Sequence, residues 1–132
     1  MRCDLELDPQ LILIEGQSAL RNPSGPCGAE FLSSAQAKGV ILQHAPGREL
    51  YKTTERPWPM ADIADDIKII QLYGSEVLAV TLNGEGVAEA DREGVRAELE
   101  QRLGLPVFLP LEQGVSGILP LLRDFVVREV KS

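Results

Sequence analysis

Four consecutive large apolar residues, Leu11-Ile12-Leu13-Ile14, run straight into a carboxylate and a glycine, Glu15-Gly16, and then into Gln17-Ser18-Ala19-Leu20-Arg21-Asn22-Pro23. An unbroken apolar run of this length reads as a strand buried on both faces, which is the habit of parallel sheets flanked by helices. Glu15 then falls at the strand's C-terminal end, the edge where open α/β sheets bind ligands. Gly16 lacks a Cβ, so the chain can turn sharply there and a ligand can approach the backbone. A carboxylate at that point can hold Mg²⁺, orient a substrate or take a proton; it can equally do no more than satisfy loop amides.

The rest of the chain alternates. Asn22 to Gly28 is a loop dense in proline and glycine. Residues 29–37 are expected to form a short helix with Phe31, Leu32 and Ala35 inward. Gly39 to His44 reads as a second apolar strand. Residues 45–61 lack periodicity and carry Pro46, Gly47, Pro57 and Pro59, so an irregular loop is expected, of the kind that often closes over a site. Asp62 can cap the following helix, Asp65 suits its first turn, and Ile63, Ile67 and Ile70 make one buried stripe ending at Gly74.

Residues 76–83 read as a third strand, and 87–103 as a helix with Ala88, Val95, Leu99 and Leu103 inward and Glu98 paired with Arg102. Residues 105–110 read as a short edge strand between prolines. A last helix opens at 114–116 with Leu119, Leu122 and Val126 as its stripe. The expectation is a partial parallel sheet of about four strands with flanking helices, a three-layer α/β/α plan.

Composition narrows the function classes. At 132 residues the chain suits one domain, and 25% charged with 44% hydrophobic residues is an ordinary globular balance. The formal net charge of −7 disfavours nucleic acid and anionic membrane as general partners. Cys3 and Cys27 are too few for a disulfide framework or a thiolate metal site, so two free thiols in a reducing compartment are expected. No signal-like N-terminus and no run of roughly 20 apolar residues occurs. These features lead us to expect a soluble, cytoplasmic protein acting on a small molecule.

His44, the sole histidine, closes the second strand and titrates near neutrality; it is either a general base or a hydrogen-bonded loop residue. Gln17 and Ser18 can donate to a ligand or cap their own turn. Arg48, with Lys52 and Arg56, can clamp an anion, although Glu49 and Glu55 are interleaved with them. Asn83-Gly84 after a strand is a good turn as well as a candidate binding corner.

Ile14-Glu15-Gly16-Gln17-Ser18-Ala19-Leu20, followed by Asn22-Pro23, resembles the "VEGQGSL…HP" signature of a P-loop family first catalogued as being of unknown function. Members of that family are linked to D-glutamate N-acetylation. Gln43-His44-Ala45-Pro46-Gly47-Arg48, Pro57-Trp58-Pro59, Leu82-Asn83 and Gly104-Leu105-Pro106-Val107 resemble its later segments in order, so the likeness spans residues 9–128. Dethiobiotin synthetase is similar more distantly.

The resemblance implies a P-loop NTPase-like fold with Glu15 as a Mg²⁺ or substrate ligand; Glu15 and His44 are the expected catalytic residues, and Gln17, Ser18 and Arg48 are expected toward substrate. It also implies Asn83 toward a nucleotide, and as cofactors either Mg²⁺ with ATP or acetyl-coenzyme A. Two departures stand out. No G-x-x-x-x-G-K-[ST] occurs, so the usual phosphate cradle is absent from this sequence, and Ser18 stands where the family often has glycine. We therefore expect the C-terminal portion of a P-loop NTPase-like domain, its sheet completed by an N-terminal portion or by a second copy. The expected functions are an acetyltransferase-like segment, an ATP- and Mg²⁺-dependent ligase of dethiobiotin-synthetase type, or a non-enzymatic partial domain that pairs with a partner subunit.

Overall fold

The computed structural model describes residues 9–16, 18–51 and 56–132. In chain order the elements are α1 (Ala29–Ser33), β1 (Gly39–His44), α2 (Ile63–Leu72), β2 (Glu76–Leu82), α3 (Glu89–Leu103), β3 (Val107–Phe108), α4 (Pro110–Gln113) and α5 (Ile118–Lys131). Among the described residues the sheet has three strands, ordered β1-β2-β3 and all parallel. Gly39 lies opposite Glu76 and His44 opposite Leu82, with one register shift between Val40 and Ile41. The short β3, set between Pro106 and Pro110, lies at the sheet edge as its prolines require.

The four-strand expectation is corrected at its strongest point. Leu11–Ile14 form no strand, and their exposures are 40%, 39%, 74% and 40%. A strand exists only where a neighbour takes up its amides and carbonyls, and no described segment pairs with this one. The apolar pattern describes the composition of this segment correctly, but it does not predict pairing within these residues.

The helices follow their local chemistry. Asp62 takes an extended conformation and its Oδ1 accepts from the Ala64 amide at 2.8 Å, capping α2, with Asp65 and Asp66 in the first turn. Ile63, Ile67 and Ile70 are buried and join Val77, Val80, Leu82, Leu99, Val107, Leu109 and Leu32 in one core cluster. Gly104 ends α3 at a φ of 65°, a left-handed conformation that glycine adopts without strain. The Phe125 ring of α5 and the Leu78 side chain both close on Gly39, leaving no room for a Cβ there.

Four expectations shift in detail. α1 stops at Ser33 rather than Ala37, because Gln36 takes a left-handed φ of 51° and turns the chain away. On α3, Leu99 is buried and Val95 and Leu103 pack on the core, but Ala88 is exposed, lying before the helix begins. Arg102 binds Asp62 instead of Glu98, while Arg96 bonds Glu93 and Glu100 on its own helix. On α5 the buried residues are Ile118 and Phe125, and Leu119 points to solvent, so the stripe lies one residue earlier in the helix. The loop at 45–61 also contains an antiparallel bridge, Leu50 with Pro59, supported by Tyr51 N–H donating to the Trp58 carbonyl at 2.9 Å.

Gly47 is placed by close approach. A Cβ there would stand 2.5 Å from the Glu85 carbonyl oxygen and 2.7 Å from the Gly86 carbonyl carbon, both backbone atoms. Substitution Gly47→Ala is expected to force the two loops apart at a cost of about 1–3 kcal/mol, measured as a lowered denaturant midpoint.

Candidate functional site at the C-terminal ends of the strands

The parallel ladder delivers two strand ends to one place. His44 ends β1, and the Asn83 amide just beyond β2 donates to the His44 carbonyl at 2.8 Å, extending the pairing past both strands. The chain leaves β1 through a turn closed by Arg48 N–H on the Ala45 carbonyl at 3.0 Å. It leaves β2 through a turn in which the Asn83 side-chain oxygen accepts from the Glu85 amide at 2.9 Å. The Arg48 guanidinium binds the Glu85 carboxylate and so ties the two loops together above the Gly47 contact.

The second loop is held from its other side. Arg92 on α3 lies against Gly84, donates from Nε to the Val87 carbonyl at 3.3 Å, and pairs with Glu112 on α4 at 2.6 Å.

A charge cluster lies beside His44. The Asp62 carboxylate accepts from both terminal nitrogens of Arg102, at 3.2 and 3.4 Å. Arg21 donates from Nε to Asp66 at 2.6 Å and from Nη2 to the Asp62 carbonyl at 3.0 Å. Asp62 is held below the usual carboxylate range, first by the Ala64 amide and then by Arg102. The half-buried imidazole of His44 is pushed below the ordinary histidine value, chiefly by desolvation and then by the Arg102 charge, while Asp62 and Asp66 oppose the shift. The shift favours the uncharged ring, the form that accepts a proton.

His44, Asn83 and Arg48 are thus brought to one end of the sheet. Ser18 lies in a separate turn, its Oγ accepting from Asn22 Nδ2 at 3.2 Å. Glu15 is exposed on the 9–16 segment, where the adjacent Gly16 lies against the Phe31 ring; no ion pair or hydrogen bond joins Glu15 to His44 among the described residues. Gln17 lies outside the described residues, as do Cys3, Lys52 and Glu55; Cys27 is a half-buried free thiol. Sequence reasoning missed Arg21, Asp66 and Arg102 and took Asp62 only as a cap. The partners of Asp62 are 40 and 41 residues away in sequence, beyond the reach of any local pattern.

Among the described residues no group of three His, Cys, Asp or Glu side chains converges as a protein-built metal site would require. No helix among them is long and apolar enough to cross a membrane. A hollow of about 470 Å³ opens at the opposite ends of the strands, lined by Lys38, Gln71, Gly74, Ser75, Glu76 and Glu129. Its one buried hydroxyl, on Ser75, donates to the Ala37 carbonyl at 2.6 Å.

The family model described as "Domain of unknown function (DUF1611_C) P-loop domain" matches residues 1–119. The chain belongs to the DUF1611 family. The crystal structure of a DUF1611 family protein from Anabaena variabilis ATCC 29413 is similar, with a TM-score of 0.69 and 20% sequence identity. The match covers 87% of this chain and 34% of that one, so this chain spans about a third of the length of the solved DUF1611 protein. At that identity the likeness shows the fold alone. No curated protein matches the chain.

Because the folded state disfavours the His44 cation, the contribution of this group to stability is complete above the unfolded-state value of about 6.5 and is lost as pH falls from there through the lower folded-state value. Chemical denaturation between pH 7.5 and 5.5 is expected to show a fall in stability that His44→Gln reduces. An equal fall in both proteins would contradict the assignment.

Proposed function

We propose that this DUF1611 chain forms the acceptor side of a small-molecule N-acyl transfer site, of the kind linked to D-glutamate N-acetylation, with His44 as general base. The observation that carries this reading is a half-buried imidazole at the C-terminal end of a parallel strand, on a residue whose carbonyl accepts from the Asn83 amide. The His44 imidazole takes the proton of the attacking amine as its nitrogen forms the new bond to the acyl carbon. The Asn83 side-chain amide is the candidate donor to the developing oxyanion, and Arg48 the residue to attract an acidic substrate. Acetyl-coenzyme A would supply the acyl group: its carbon–sulfur bond breaks as the tetrahedral intermediate collapses, and coenzyme A leaves as the free thiol, taking the proton that His44 removed from the amine.

A second reading, a nucleotide-dependent ligase, draws support from the family's description as a P-loop domain. One exposed carboxylate such as Glu15 suits Mg²⁺, which commonly keeps its waters and takes one or two carboxylates plus substrate phosphates. Asn83 would then face the nucleotide. In both readings the exposed Leu11–Ile14 run is an edge that the remainder of a larger domain, or a second copy of the chain, covers. Pairing without chemistry is the third reading, and the same exposed run supports it.

The test is acetyl transfer from acetyl-coenzyme A to D-glutamate by the longest native protein that contains this chain. His44→Gln is expected to lower kcat by roughly 10²–10⁴-fold with little change in KM. Retention of wild-type kcat in that variant would overturn the proposal, and turnover that requires Mg-ATP would support the ligase.

A further inference from the structure

β1 is an edge of the sheet, with β2 as its one strand partner among the described residues. The Lys38 carbonyl accepts from the Glu76 amide at 2.8 Å and the His44 carbonyl from the Asn83 amide at 2.8 Å, both on the β2 side. Backbone groups alternate between the two sides of a strand, so Val40 and Leu42 aim theirs at β2 as well, and Gly39, Ile41 and Gln43 aim theirs away from it. Among the described residues no strand pairs with that outer row. Val40 and Leu42 pack on the core cluster, so the Ile41 side chain stands on the other face of the sheet, where it is exposed. Natural edges are blunted by charge or proline, and Gly39-Val40-Ile41-Leu42-Gln43-His44 carries no Pro, Asp, Glu, Lys or Arg. The opposite edge offers no such row, because β3 is two residues long.

What completes a row of this kind is a strand, and the described pairs are all parallel. A second copy joining β1 to β1 about a two-fold axis would pair antiparallel and end that pattern. Two observations point to the same polypeptide instead. The family model that matches residues 1–119 is described as a P-loop domain, and a phosphate loop joins a strand to a helix, but the sequence holds no G-x-x-x-x-G-K-[ST]. The solved DUF1611 protein shares the fold over 34% of its own chain, so most of that chain lies outside the shared part. We propose that the outer edge of β1 receives a parallel strand from another part of the same polypeptide, the strand that leads into the phosphate loop, through the backbone of Gly39, Ile41 and Gln43. The proposal rests on this edge and on the family's description, not on the acyl-transfer reading of His44. Parallel pairing carries the loop after the incoming strand to the end of the sheet where β1 and β2 finish, beside His44 and the Asn83 turn.

The test uses the longest native protein that contains this chain, beside the 132-residue chain itself. Amide hydrogen exchange is read at Ile41 and Gln43, with Val40 and Leu42, which face β2, as the internal reference. In the longer protein, as a single copy, Ile41 and Gln43 are expected to be as protected as Val40 and Leu42. The short chain is expected to show no such protection at Ile41 and Gln43. Strand identity and direction are read by disulfide trapping. Gln43→Cys is expected to cross-link to a cysteine placed at the end of the strand that runs into the phosphate loop, and not to one at its start. Fast exchange at Ile41 and Gln43 in the longer protein overturns the proposal. So does protection that appears only in a dimer, protection already complete in the short chain, a cross-link to the strand's start or none at all, or a native polypeptide with no residues beyond these. Failure of the acyl-transfer reading leaves all of these outcomes unmoved and shows instead as wild-type kcat in His44→Gln.

Discussion

The parallel pairing of β1 with β2 is the constraint from which the site follows. Six residue pairs run from Gly39 opposite Glu76 to His44 opposite Leu82. The Asn83 amide then adds one more bond to the His44 carbonyl, so both residues stand where the strands end. Tertiary packing protects that pairing on both sides. The isoleucines of α2 and Leu99 of α3 bury Val77, Val80 and Leu82 in the main cluster, while Phe125 of α5 and the Leu78 side chain close on Gly39. The loops beyond the strands are then drawn together by a glycine that admits no side chain and by the Arg48–Glu85 pair.

The polar part of the site depends on how an acidic chain places its few cations. Arg92 binds Glu112, Arg48 binds Glu85, Arg21 binds Asp66 and Arg102 binds Asp62. Most of these pairs are partly exposed, so each adds little to stability by itself. Their effect is geometric, fixing loops and a helix start around His44. Desolvation, and after it the Arg102 charge, push that imidazole below the ordinary histidine value, the direction that favours proton abstraction near neutral pH.

Much of this fold was legible in the sequence. The span of β1, the Asp62 cap, the Ile63–Ile67–Ile70 stripe and the Gly104 stop all follow from short-range chemistry, and short-range chemistry is what a sequence displays. Leu11–Ile14 could not be placed the same way, because a strand is defined by its neighbour and the pattern describes only one partner of the pair. On α5 the helix begins at Ile118 rather than at 114–116, and its buried stripe lies one residue earlier than the sequence pattern suggests. At the site, His44, Asn83 and Arg48 were visible as residue types at strand ends and in a loop. Arg21 and Arg102 were not, since an ion pair across 40 residues leaves no local trace.

The claim that a ligand meets this chain at the C-terminal ends of β1 and β2 is tested most directly by amide chemical-shift mapping with acetyl-coenzyme A and with Mg-ATP, each added alone. The account predicts that one of them perturbs residues 44–48 and 83–86 together. Shifts confined to the hollow around Lys38, Gln71 and Ser75 at the opposite ends of the strands would contradict it.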